Sequence, residues 1–365
     1  MSPPKCHAQQ NATCVPGYGS AHLSEKRRSF PAALGPKLRF SRIARFKSRN
    51  RAKAAGFDTL EAVTSSTDRL PKVSGVAAVS LSAMQVDVTT HLGAVGPATS
   101  TGFPKLDLLL GGGLRSGMLM AVSGEAGSGR TSVALALAYL AARARAGVVV
   151  AGAAVDPTEV VARLAARALH REYPDARTSY GEIWTGQAWA DDASRRPIAD
   201  AIDTVMKKVG SQLHLFRGTG LETTQALSEC VAQQWARSER VVLVVDDVEG
   251  FLAMGDGGMT RAALVNGSFE ARMTQVGFEL RRIAEQGACV IATVLREHLA
   301  LLSPAATLAI ELEARDAPEP DLTERLRKLG ARTLLLKVTK NRVGSTGEVP
   351  LSFVPGAGTL EAVRA

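Results

Sequence analysis

MLMAVSGEAGSGRTSVALALAYLAARARA, residues 118–146, reads as an apolar strand, a glycine-rich loop and a long helix in immediate succession. A loop of this composition curls its backbone N–H groups inward around phosphate, at the positive end of the helix that follows. Gly124, Gly127 and Gly129 supply the freedom to curl, and the cradle runs through Glu125, Ala126, Ser128, Arg130, Thr131 and Ser132. Thr131 offers the hydroxyl that such loops give to Mg²⁺. Arg130 stands where the pattern carries lysine; it keeps the charge but presents a broad planar fork instead of a compact ammonium. By itself the loop is also compatible with a ligand-free strand-to-helix turn, and its surroundings decide.

Working outward, GVVVAGAAV (147–155) is a second apolar run and PTEVVARLAARALHREY (157–173) a second helical one. Strand followed by helix, repeated, marks an α/β fold with a mainly parallel sheet flanked by helices. Further strands are expected at 213–218, 241–247, 289–295 and 332–341, with helical stretches at 223–238 and 270–286 between them. VVLVVDD ends its apolar run on Asp246 and Asp247. A pair of acids there also opens turns, but beside a phosphate loop Asp246 is expected to hold Mg²⁺.

The rest of the chain is less specific. A 365-residue chain that is 45% hydrophobic has ample material for a core. Its four cysteines form no CxxC pair and no disulfide framework, which suits a reducing compartment. No run reaches the roughly 18 to 20 apolar residues of a membrane span, and the N-terminus lacks the apolar core of a secretion signal, so a cytoplasmic protein is expected. The net charge of +9 is concentrated in residues 1–57, which hold 12 Lys/Arg against Glu25 alone, leaving the rest at −2. That segment, with RFSRIARFKSRNRAK at 39–53, reads as a basic, disordered arm, either solvated or phosphate-binding. Met84 is an alternative start. Residues 58–96 read as a linker and 97–365 as the folded domain.

Three segments resemble a known family. TGFPKLDLLLGGGL (101–114) before the phosphate loop is similar to the opening of RecA-fold motor domains, shared by DnaB-type helicases, RadA and KaiC-like ATPases. KVTKNRVGSTGEVPLSF (337–353) resembles the KxRxGPTGxVxLxF ending of DnaB-type replicative helicases and the KNRFG stretch of RadA, and FELRRIAEQGACVIATVL (278–295) resembles a DnaB helix and strand. The likeness spans about residues 99–361. It implies a RecA-type P-loop NTPase that binds ATP and Mg²⁺, acts on single-stranded DNA and assembles as a ring-like homo-oligomer.

Carried over residue by residue, the resemblance gives Arg130 and Thr131 phosphate and metal roles, Asp246 the Mg²⁺ role, and Lys340 and Arg342 the role of fingers that reach a neighbouring subunit's γ-phosphate. The sequence departs from the pattern at three places. Arg130 replaces lysine, Val155 occupies the place of the water-polarising glutamate with Asp156 as the near substitute, and Leu295 stands in for a polar sensor. These departures favour slow hydrolysis, and they keep open a nucleotide-dependent assembly or regulatory protein, or a RadA-like recombination accessory. Arg261 and Arg272 in the glycine-rich stretch 253–273 are candidate DNA-phosphate contacts, against a plain solvated loop. Trp184 and Trp189 are read as core anchors.

Overall fold

The central strand β1, Leu119–Gly124, is buried along its whole length, so its alternating side chains face helices on both sides. The computed structural model describes residues 96–152, 156–173, 176–216, 222–253, 268–315 and 329–363, with Ser80 and Arg327. Beside β1 lie β2 (Gly147–Gly152), β3 (Leu213–Phe216), β4 (Val241–Asp246), β5 (Cys289–Leu295), β6 (Leu308–Arg315), β7 (Arg332–Asn341), β8 (Gly347–Val354) and β9 (Thr359–Ala362). They form one nine-stranded sheet in the order β3-β2-β4-β5-β1-β6-β7-β8-β9. The first six of these, β3 to β6, pair in parallel; β7, β8 and β9 extend the sheet antiparallel.

The alternation divides the core in two. Met120, Val122, Val148, Val150, Val242 and Val244 pack against α2 (Arg130–Arg143), α3 (Pro157–Glu172) and α5 (Asp192–Val209). Leu119, Ala121, Val149, Leu243 and Val245 pack on the other face against α6 (Thr224–Trp235) and α7 (Phe269–Glu285). Helix α2 buries ten of its residues, six of them alanine or serine, and lies close to the sheet at its centre. A fully buried leucine such as Leu137 contributes about 1.5–3 kcal/mol. The short helices α1 (Pro104–Leu109), α4 (Tyr180–Trp184) and α8 (Leu299–Leu302) complete the set.

Two distant segments brace one another. Asp107 in α1 accepts hydrogen bonds from the Thr101 backbone N–H (2.7 Å) and hydroxyl (2.6 Å), which folds 101–107 onto itself. The turn that follows runs through Gly111, Gly112 and Gly113 at positive φ, and a Cβ on Gly113 would strike the Thr99 carbonyl. Asn341, at the end of β7, donates to both the Leu109 and Ser345 carbonyls at 2.8 Å. The LGGGL and KNRVGSTG segments are therefore one structural unit.

Four expectations fall outside this description. Residues 1–79 and 81–95, and with them the arm and linker, are outside the described residues, as are Val155 and Arg261. Among the described residues, no helix is long and apolar enough to cross a membrane. Cys230 and Cys289 are both free thiols, and burial pushes Cys289 up to about 12.

Candidate functional site

The loop between β1 and α2 has the backbone that phosphate binding needs. Gly127 and Gly129 lie in the left-handed region at φ 74° and 102°. A Cβ on Gly124 would run into Ser128 Oγ, and one on Gly129 would sit 3.0 Å from the Phe353 ring. Gly129 is also the N-cap of α2 and provides no side-chain cap, so the first N–H groups of a 14-residue helix are left for a ligand. Ser128 Oγ and Arg130 Nη1 are buried without a hydrogen-bond partner among the described residues. Unfilled donors at a helix N-terminus fit an anion.

Next to the loop lies a chain of hydroxyl and carboxylate groups. Thr131 donates to Asp246 Oδ2 at 2.9 Å, and Thr293 on β5 donates to Asp246 Oδ1 at 2.7 Å. The Asp247 backbone N–H donates to the Thr293 hydroxyl at 2.8 Å, so β4 and β5 are tied at their ends. Burial holds the Asp246 carboxyl above the ordinary carboxylate range, outweighing the lowering effect of the two hydroxyls. Asp247 is raised as well, by burial and by the neighbouring Asp246 charge. Asp247 also adopts a left-handed backbone, φ 55°, unusual for a residue with a side chain. That conformation aims its carboxylate at Arg130, whose Nη2 lies 3.2 Å from Oδ1. A hydroxyl and a carboxylate on adjacent elements are the donor set that a phosphate-bound Mg²⁺ uses, and among the described residues no group of three His, Cys, Asp or Glu side chains forms an all-protein metal cage.

Beside this chain is a pocket of about 190 Å³ lined by Thr131, Glu159, Arg163, Asp246 and Asp247 over an apolar floor that includes Val150 and Val244. Glu159, in the first turn of α3, reaches it because β2 and β4 are in register, Gly152 opposite Asp246. Arg163 clamps Glu159 at 3.0 Å through Nε and 2.7 Å through Nη2 and stacks on Tyr180 at 4.0 Å. Asp156 is the N-cap of α3; its Oδ1 accepts from the Thr158 N–H and hydroxyl, both at 2.7 Å. Of the two carboxylates, Glu159 is the one that faces the pocket. Sequence reading passed over it because an acid in a first helical turn is commonplace.

Leu295 ends β5 opposite Gly124 and gives its N–H to Glu249 Oε1 at 2.7 Å. The same oxygen meets His298 Nδ1 at 3.1 Å, whereas Oε2 is buried without a hydrogen-bond partner among the described residues. Arg296, one residue on, donates to the Leu312 carbonyl at 2.9 Å and lies 3.4 Å from Glu125 of the loop. Arg332, at the start of β7, donates to the Gly127 carbonyl at 2.8 Å while its guanidinium lies over Phe353. Arg296 and Arg332 are thus basic groups at the phosphate loop that no motif announced.

Lys340 and Arg342 lie elsewhere. The register places Lys340 opposite Ala309, which pairs with Ala121, and the Arg342 N–H bonds to the Thr307 carbonyl. Both are therefore level with the early part of β1, on the order of 10–15 Å along the strand from Gly124. Lys340 donates to the Ser303 carbonyl, Arg342 weakly to the Pro304 carbonyl at 3.5 Å, and burial lowers the Lys340 ammonium below its usual value. Arg272 in α7 lies over Phe269. Trp189 packs against the core and donates to the Ile183 carbonyl at 3.2 Å, but Trp184 is 47% exposed, so only one of the two tryptophans is an anchor.

No family model matches the chain, and no curated protein matches its sequence. Solved structures do match its fold. One described as a DnaB-like replicative helicase, with its interactions with primase, superposes with a TM-score of 0.60 at 16% identity, covering 80% of this chain and 69% of that one. A second, described as an ATPase domain, superposes with a TM-score of 0.60 at 17% identity, covering 79% of this chain and 100% of that one. The chain has the RecA-type fold of DnaB-type ATPase domains.

Proposed function

We propose that this chain is a nucleotide-binding motor domain of the DnaB-helicase type, holding Mg²⁺-ATP in the 124–132 loop and working on single-stranded DNA as a ring-like assembly of its own copies. The observation that carries the reading is the Thr131–Asp246–Thr293 chain at the mouth of the phosphate loop. In this reading the uncapped N–H groups of α2 and the loop backbone hold the phosphates, with the free Arg130 Nη1 turned to them. The Thr131 hydroxyl and the Asp246 carboxylate hold Mg²⁺, which supplies charge neutralisation when bound. Glu159, released from Arg163, is the group placed to orient the attacking water, since Asp156 is occupied as a helix cap.

Lys340 and Arg342 are removed from their own loop, so as fingers they act only on a neighbouring copy. That requirement supports assembly. A cytoplasmic location belongs to the same reading.

A second reading, nucleotide-dependent assembly with little turnover, is favoured by two features. Arg130 is held by Asp247 at 3.2 Å, and Leu295 brings no polar side chain to the end of β5. One experiment separates them: steady-state ATP hydrolysis with and without single-stranded DNA, beside a direct nucleotide-binding titration. DNA-stimulated turnover supports the motor. Binding with neither turnover nor stimulation supports the assembly protein, and absence of nucleotide binding removes both.

A further inference from the structure

A second cavity, of about 270 Å³, opens where α2, α3 and α5 end. Helix α2 starts at the phosphate loop and is 14 residues long, so this cavity lies about 20 Å from it along the helix axis. Tyr139 and Arg143 line it from α2, Arg167, Arg171 and Glu172 from α3, and Lys208 from α5. Lys208 and Glu172 neutralise one another at 3.5 Å. Three guanidinium groups remain around one small space.

Helix polarity explains part of this. Each of the three helices presents its negative end here, and each carries cations in its last turn: Arg143, Arg171 and Lys208 among them. It does not explain Arg167, which lies more than a turn inside α3 and is only 8% exposed. Arg167 Nε and Nη1 are buried with no hydrogen-bond partner among the described residues. The Tyr139 ring, 4.8 Å from the guanidinium carbon, covers one face and offers those N–H groups nothing in their plane. Burial lowers Arg167 to about 10, with Arg143 and Arg171 adding repulsion; Tyr139 and, least of all, Glu361 on β9 act the other way. A cation stacked, buried and surrounded by like charge is in want of an anion.

We propose that this cavity binds a compact polyphosphate anion, of the pyrophosphate class, at a site separate from the phosphate loop. Arg167 and Arg171 stand four residues apart on one face of α3, and Arg143 faces them from α2, so two planar forks and a third meet the same volume. Forks of this kind suit adjacent phosphoryl oxygens. The cavity, about 270 Å³, has room for two linked phosphoryl groups, and its cationic lining selects for charge and not for a base. Three guanidinium charges around the cavity match a trivalent anion.

The test counts bound pyrophosphate by calorimetry on the full chain carrying Arg130→Ala and Thr131→Ala, which weakens the loop site, and dependence on Arg167 and Arg171 assigns the binding that remains. One equivalent is expected, weakened about tenfold or more by Arg167→Gln, the cost of losing a charge-assisted pair. Arg171 is exposed, so Arg171→Gln gives the same direction of change without touching the core and carries the test if Arg167→Gln fails to fold. ADP and a thymidine oligonucleotide are titrated alongside. Pyrophosphate, or ADP through its terminal diphosphate, binding in an Arg167- and Arg171-dependent way supports the site. No binding in the loop-weakened chain, binding indifferent to both substitutions, or displacement by the oligonucleotide at lower concentration than by pyrophosphate overturns it.

Discussion

Asp246 holds a carboxylate where water barely reaches, and its chemistry follows from that. Its folded-state pKa is raised above the unfolded value, so the favourable contribution exists at low pH and is lost as pH rises through the folded value. Asp246→Asn removes the charge. It is expected to stabilise the nucleotide-free chain by on the order of 1 kcal/mol at neutral pH, with the gain over wild type shrinking on acidification, as read by denaturant unfolding across pH. In the same variant Mg²⁺-dependent nucleotide affinity is expected to disappear, and in wild type that affinity should rise with pH through the same range, because proton and metal compete. Glu159→Gln has the opposite profile: nucleotide affinity stays, while single-turnover hydrolysis falls about a hundredfold. Equal rates for Glu159→Gln and wild type would return the water-polarising role to Asp156 or to a residue outside the described set. The loop, Thr131 and Asp246 were legible in the sequence because glycines and a carboxylate after an all-apolar strand are local patterns. Glu159 and Arg332 were not, since Glu159 matters only through the β2–β4 register and Arg332 lies 205 residues from the carbonyl it touches.

At the level of elements, the turn that follows Lys340 is tied to α1 by one side-chain amide. The Asn341 side chain makes three hydrogen bonds, donating to the Leu109 and Ser345 carbonyls and accepting from the Val343 N–H. Asn341→Ala is expected to cost about 2–3 kcal/mol, the three bonds together, and to lower assembly-dependent hydrolysis while leaving nucleotide binding by the isolated chain unchanged. Urea unfolding and concentration-dependent ATPase rates check the two halves. The elements themselves were readable in unequal measure. β1, β4 and β5 are near-continuous apolar runs, and β7 was placed with its bounds. β6, β8 and β9 were missed. β6 alternates Leu308, Ile310 and Leu312 with Glu311 and Glu313, and Glu313 is held low, to about 2, by Lys337 and Arg315, a strand pattern disguised by charges that only cross-strand pairing satisfies. α5 was hidden by Pro197 and by paired arginines, although Ile198, Ala201, Val205 and Val209 form its buried face.

For the molecule as a whole, every described strand and helix lies between Pro104 and Ala362. Removal of residues 1–83 is therefore expected to leave a soluble chain with the same melting temperature; a collapse of solubility would move the domain boundary upstream. The sequence placed a phosphate loop on a parallel sheet but left the nine-strand order to be seen, because the crossover from β3 to β4 over β2 and the antiparallel run β7 to β9 depend on long-range pairing.

β7 is also a mechanical part. Its ten residues span about 30 Å, with Arg332 on the carbonyl of the chain's own Gly127 at one end and Lys340 and Arg342 at the other. Clamped on both sides by β6 and β8, it is stiff along its length, and a displacement at the phosphate loop is expected to reach Lys340 and Arg342 instead of dissipating in a loop. In the proposed assembly, occupancy in one copy is thereby expected to be felt at the next. Cutting the linkage at its near end with Arg332→Ala is expected to bring the Hill coefficient of hydrolysis down toward one while nucleotide affinity and oligomer size stay as they were; an unchanged coefficient would mean that the strand carries no signal.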